Sequence, residues 1–229
     1  MTYSSLFVDR TDSASLIPDM EEVFRYMGYA LKDRKNPDGA VGGVAKDVVE
    51  QFQDLIFPQA VYVCYPMRIS DGTIFFGCNG SEHKIESRQL SKFLAGCTSI
   101  FIFAATLGPK VDREIQKAQR IEPSRSVVMQ AAGAMFIEEY CDMLCRKFKS
   151  MAAEDDCVTR PRYSPGFGDV PLEYQKTVFK ILDCRKIGLT LMDSLIMAPE
   201  KSVTAFVGVR PKNYGSEESG TVEIGEKHA

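Results

Sequence analysis

The stretch RPRYSPGFGDVPLEYQK runs from Arg160 to Lys176. Two arginines, a Pro-Gly pair and a second glycine come before Pro171 and a helix-like pattern. Arg162 is a permanent cation whose planar fork can hold a carboxylate through two bonds. Gly166 and Gly168 allow positive φ or close backbone approach. Phe167 offers a flat apolar surface, and Ser164 a hydroxyl. The segment leads toward a helix start, where unpaired N–H groups attract polar or anionic groups. Two readings follow from these residues. One is a loop that holds a small ligand with a carboxylate and an aromatic part. The other is a Pro/Gly turn carrying a surface arginine.

The elements on either side of this loop set the fold class. Upstream lies the longest helical pattern, SRSVVMQAAGAMFIEEYCDMLCRKFKSMAA, with Ser124 as its expected cap. Its centre, QAAGA, has almost no side-chain bulk and invites close approach by a helix or a sheet. Downstream, Pro171 suits the first turn of a helix over PLEYQKTVFKILD. DSLIMAP and KSVTAFVGV then read as two strands joined at PEK. Nearer the start, Asp19 caps a helix over MEEVFRYMGYAL, KNPDGAVGG breaks the chain, and VAKDVVEQFQDLI is amphipathic. QAVYVCYPMRI reads as a strand, and TIFFG as another after the Asp71-Gly72 turn. His83 falls in a polar loop. SRQLSKFLAG is a short helix. TSIFIFAAT is apolar on both faces, which predicts a central strand. A polar helix over KVDREIQKAQRI follows Gly108-Pro109. Helices and hairpin-like strands are mixed. This predicts one α+β domain over residues 1–211, with a twisted, mostly antiparallel sheet flanked by helices. Residues 212–229, rich in Gly, Ser and Glu, read as a flexible tail.

Composition narrows the function classes. Twenty-eight basic and 31 acidic residues give a net charge of −3, so no nucleic-acid partner is expected. The longest apolar run is too short to span a bilayer, and the start has no signal-peptide pattern, so a cytoplasmic protein without a membrane partner is expected. Seven cysteines, mostly inside apolar runs, read as reduced thiols, with Cys141 and Cys145 buried in the long helix. Two histidines are too few to suggest a zinc site, and no metal is expected. The sequence contains no nucleophile elbow, P-loop or dinucleotide fingerprint. The acids Glu138, Glu139 and Asp142 read as a solvated helix face.

From Arg162 onward the order Arg162, Pro165-Gly166, Pro171, Ile187-Gly188-Leu189, Leu191, Ser194, Met197, Pro199 and Ser202-Val203 resembles the activation domain of cobalamin-dependent methionine synthase. The family shows R-x-x-P-G-Y, then I-G-M/L, L-T-x-S, M-x-P and S-V-x-G. The likeness covers Phe101 to Val209 and thins upstream. There are departures. Phe167 stands in place of the family tyrosine, and Met192 and Ala205 replace its threonine and glycine. Leu172-Glu173 replaces an Asp-His pair. On the first helix the stretch RYMGYAL carries no acid to match the family aspartate that meets the ligand's ammonium.

The resemblance implies a domain that binds S-adenosylmethionine and supplies its methyl group to cobalamin that has been oxidised to cob(II)alamin. The cobalamin would be carried by a partner, either a separate corrinoid protein or a methionine synthase lacking its own activation domain. A flavodoxin-like or other reductant would deliver the electron. By position, Arg162 would bind the methionyl carboxylate, Ser164, Gly166 and Phe167 would surround the ligand, and Tyr214 would match a tyrosine beyond the last strand. No catalytic side chain is implied. The alternative is a module that keeps the corrinoid-protein contact without binding S-adenosylmethionine.

Overall fold

The computed structural model describes residues 3–35, 39–78 and 80–214. The chain is organised around β5, Ser99–Thr106, in which all eight residues are buried. On one side β5 pairs with β2, Gln59–Ser70, and on the other with β9, Ser202–Pro211. The expected central strand is therefore central. Its side chains alternate between two cores, as a period of two requires. Phe101, Phe103 and Ala105 face one way; Ile100, Ile102 and Ala104 face the other.

Seven antiparallel strands form the main sheet. β3, Thr73–Cys78, and β4, Ser81–Glu86, extend it beyond β2. β6, Cys157–Thr159, closes the far edge on β9, and β1, Tyr3–Arg10, pairs with β2. Asp71 and Gly72 both have positive φ in the tight turn joining Ser70 to Thr73, as expected for an Asp-Gly hairpin. A separate pair joins β7, Thr190–Leu191, to β8, Met197–Ala198.

Helices cover both faces. α1 (Met20–Tyr26), α2 (Gly39–Gln53), α4 (Pro109–Ile121) and α5 (Pro123–Glu154) share the Phe101 core. There the Phe148 ring stacks on Phe101 at 4.4 Å between centroids. α3 (Arg88–Phe93) and α6 (Tyr174–Ile181) cover the Ile100 face through Leu90 and Val178.

Local chemistry explains where the elements begin, and it corrects several expectations. Asp19 does cap α1, accepting from the N–H groups of Glu21 and Glu22. α2 starts at Gly39, so the GAVGG segment continues the helix instead of breaking it. α5 starts at Pro123, and Ser124 is not its cap. α6 starts at Tyr174, because the N–H groups of Tyr174, Gln175 and Lys176 make tighter i→i−3 bonds to Pro171, Leu172 and Glu173. His83 lies within β4. β1 and β6 carry no pattern that the sequence reading separated from loop.

β8 pairs with β7 instead of β9. The Glu200 N–H is held by Asp112 at 2.6 Å, and the Ser202 hydroxyl donates to the Pro199 carbonyl, which turns the chain away before β9 begins. In the small centre of α5, Ala131 and Ala132 pack into the Phe101 core, while Gly133 is met by a side chain. The Lys201 stem lies along Gly133, where an added Cβ would sit 2.9 Å from its Cε.

Candidate functional site

Arg162 lies between β6 and an isolated bridge that joins Tyr163 to Phe206 of β9. The bridge fixes the backbone on the sheet edge, and the arginine side chain reaches α5. Glu138 and Asp142 stand four residues apart on that helix, so they share one face. One terminal nitrogen of the Arg162 guanidinium donates to Glu138 and the other to Asp142. The arginine side chain is only 20% exposed, against 36% for Glu138 and 54% for Asp142. Burial works against the guanidinium's charge. Its neighbours Cys141, Glu138 and Asp142 more than offset that, and its pKa is raised above the ordinary value. Two of the acids read as a solvated face, the half-buried Glu138 and the exposed Asp142, are also the arginine's partners. Helical spacing in EEYCDM placed both on one face, but nothing in the sequence tied that face to a residue twenty positions away.

The cluster lies between the end of α1 and an open cleft. Tyr26, at the end of α1, is close enough for Glu138 to help raise its phenol pKa, although burial is the larger cause. On the other side opens a cleft of about 380 Å³ between α5 and β6, lined by Asp142, Cys145, Arg146, Lys149 and residues 158–161. Burial pushes the Cys145 thiol up, against the opposing pull of Arg162. A larger cleft of about 420 Å³ lies elsewhere, along β2, β3 and the start of β4, and contains none of the expected site residues.

The loop after Arg162 is braced from within. Gly166 N–H donates to the Val170 carbonyl at 2.8 Å, Phe167 N–H to Ser164, and Val170 N–H to Phe167. Those donors close the loop on itself. Gly166 and Gly168 both have positive φ, as the sequence suggested. At Gly168 an added Cβ would sit 2.3 Å from both the Gln89 Oε1 and the Tyr163 hydroxyl, so the position is also sterically closed to side chains. Asp169 anchors the loop to α3, accepting from the Ser87 hydroxyl and from the N–H groups of Arg88 and Gln89. Phe167 is 54% exposed and meets the Tyr163 ring edge-on. Leu172 lies over Gly166.

The structure thus groups Arg162 with Glu138 and Asp142, and sets Ser164, Gly166 and Phe167 in one adjoining turn. Tyr214 lies over Gly96 at the exit from β9. All seven cysteines are free; Cys141 is buried, whereas Cys145 is only half-buried. Among the described residues no group of three or more His, Cys, Asp or Glu side chains is arranged to hold a metal ion. No described helix is long and apolar enough to cross a membrane.

No protein-family model and no curated protein matches the sequence. A solved structure does match: the crystal structure of the MetH reactivation domain bound to AdoHcy, with a TM-score of 0.68 over 92% of this chain and 80% of that one. Identity across the match is 14%, so the likeness is one of architecture. The chain has the α+β fold of the MetH reactivation domain, with its mostly antiparallel seven-stranded sheet.

Proposed function

We propose that the chain binds S-adenosylmethionine and acts as an activation subunit in a cobalamin-dependent methyl-transfer system. It would support reductive methylation of cob(II)alamin on a separate corrinoid protein, or on a methionine synthase lacking its own activation domain. A flavodoxin-like or other reductant would supply the electron. The observation that carries this reading is the Arg162 cluster. A guanidinium beside two carboxylates, one turn apart on α5, has the charge pattern needed for an amino-acid zwitterion. The ligand carboxylate pairs with Arg162. Its ammonium pairs with Glu138, which supplies the acid missing from the RYMGYAL end of the first helix. Phe167 and the Ser164–Gly168 turn lie next along the chain and suit the nucleoside end. The matched fold belongs to a domain solved with AdoHcy bound, which supports the same class of ligand.

S-adenosylmethionine supplies the methyl group when bound. This chain's residues hold and orient the donor, and such a role needs no acid–base pair. Titration calorimetry with S-adenosylmethionine and S-adenosylhomocysteine tests binding. A spectral assay with a corrinoid protein and a strong reductant tests function. Cob(II)alamin absorbance should fall faster with the chain than without it, and the chain alone should not methylate homocysteine.

Two observations favour a second reading, a corrinoid-protein interaction module that does not bind S-adenosylmethionine. The Arg162 fork is already filled by the chain's own carboxylates, and three loop N–H groups are bonded within the loop. Absence of heat and of any thermal shift with either ligand would select this second reading.

A further inference from the structure

Arg162 has two outward nitrogens, and each already donates to a carboxylate of α5. A ligand carboxylate that binds the two terminal nitrogens as a bidentate pair competes with both for the same fork. The two acids are not equivalent. Glu138 is the less exposed and sits toward Tyr26 and α1. Asp142 is 54% exposed and lines the open cleft between α5 and β6. In that cleft Asp142 has other cations to turn to. Arg146 is four residues further along the same helix face, in the favourable acid-before-base order, and Lys149 lines the same wall. Arg146 also holds Glu139 at 2.8 Å, and a guanidinium has donors enough for both.

We propose that Asp142 is an internal stand-in for the ligand's carboxylate. It occupies one arm of the Arg162 fork in the ligand-free chain and swings into the α5–β6 cleft when an amino-acid carboxylate takes its place. Glu138 stays and becomes the ammonium's partner. The inference rests on the S-adenosylmethionine reading and adds a regulatory element to it. Asp142 keeps the partly buried guanidinium paired without ligand, and it competes with the ligand for that pairing. A residue that merely decorates a binding site would strengthen binding or leave it alone; a stand-in weakens it.

The test is titration calorimetry of the wild type, Asp142→Asn and Glu138→Gln with two probes. S-adenosylhomocysteine carries the amino-acid group; methylthioadenosine has the same thioether nucleoside without it. Asp142→Asn should bind S-adenosylhomocysteine about fivefold more tightly than the wild type, the scale of an exposed ion pair. Its affinity for methylthioadenosine should stay within about twofold, because that probe never enters the fork. Glu138→Gln should weaken S-adenosylhomocysteine alone. Asp142 is exposed, and a circular dichroism melt of the asparagine variant should match the wild type. If the wild type binds S-adenosylhomocysteine and Asp142→Asn binds it equally or less well, the stand-in is wrong while the ligand assignment stands. Equal tightening toward both probes also overturns it, since that reports a general change of field. If neither wild type nor Asp142→Asn binds S-adenosylhomocysteine, the S-adenosylmethionine reading itself fails, and the stand-in fails with it.

Discussion

Two ionic clusters are built on the one long helix, and they are built in opposite ways. At the first, Asp9 of β1 accepts from Lys147 at 2.7 Å, from Tyr140 at 3.0 Å and from Thr11 at 2.9 Å. One carboxylate meets three donors, and the acid's side chain is only 14% exposed. At the second, one arginine meets two carboxylates beside an open cleft. Residues 138 and 140 lie about 200° apart around the helix, so the clusters occupy different faces. The first is closed: every strong donor has its acceptor, and nothing is left over for a ligand. The second carries a surplus acid and has room beside it. A satisfied cluster fixes a strand to a helix, whereas an over-supplied one can exchange a partner. That difference, more than the presence of charge, separates the candidate site from a structural bridge.

The largest expected effect breaks the second cluster. Arg162→Ala removes the ligand's carboxylate partner and should weaken S-adenosylmethionine by about 1.5–3 kcal/mol, the scale of a charged hydrogen bond. Calorimetry reads this directly. Arg162→Lys should recover only part, because an ammonium lacks the planar fork.

Breaking the first cluster should leave ligand affinity alone and lower stability. Asp9→Asn loses its charge-assisted bonds and should destabilise the fold by about 1–2 kcal/mol in urea titration, part of the effect being screened at Lys147. An Asp9→Asn variant that is fully stable but fails to bind S-adenosylmethionine would reverse the assignment of the two clusters.

The pH profile sharpens the contrast. Burial works against the Asp9 charge, but Lys147, Thr11 and Tyr140 prevail and hold its pKa below the ordinary 3.8. Its contribution is therefore complete above that value and is lost as pH falls through the depressed one. Lys147 is shifted the other way. Burial opposes its charge, yet Asp9 holds its pKa above 10.5, so its share is complete below that value and is lost as pH rises past the raised one. Stability measured across the range should form a plateau between these limits, and Asp9→Asn should flatten the acid shoulder.

The smallest expected effect concerns the thiols. Burial pushes the Cys64 and Cys184 thiols up to about 12 and Cys97 to about 11, and it raises Cys141 well above its ordinary value. The thiolate is the reactive form, so native protein at neutral pH should show little labelling at these four positions by maleimide mass spectrometry. Rapid labelling of Cys141 would mean that the Arg162 face of α5 opens readily.

The amino-acid sequence by itself determined the class and much of the frame. An uninterrupted apolar run at TSIFIFAAT has one stable place, the middle of a sheet covered on both sides. Asp71-Gly72 sets a hairpin through φ alone, and Asp19 caps α1 through its own side chain. These features act within a few residues, so local propensity is enough to read them. The order of matched residues from Arg162 to Val203 also pointed to the fold that the solved structure shares. Tertiary structure decided the rest. β1 and β6 owe their pairing to β2 and β9, not to their own patterns. β8 pairs with β7, and just after it Asp112, on a distant helix, holds the Glu200 N–H. At the site the sequence offered Arg162 as a free fork and Glu138 and Asp142 as solvated acids. Only folding brought α5 against the connector after β6 and made partners of them. A charge's position in the sequence records its sign, but its energy depends on burial and on which opposite charge lies within a few ångströms, and both are set by packing between remote segments.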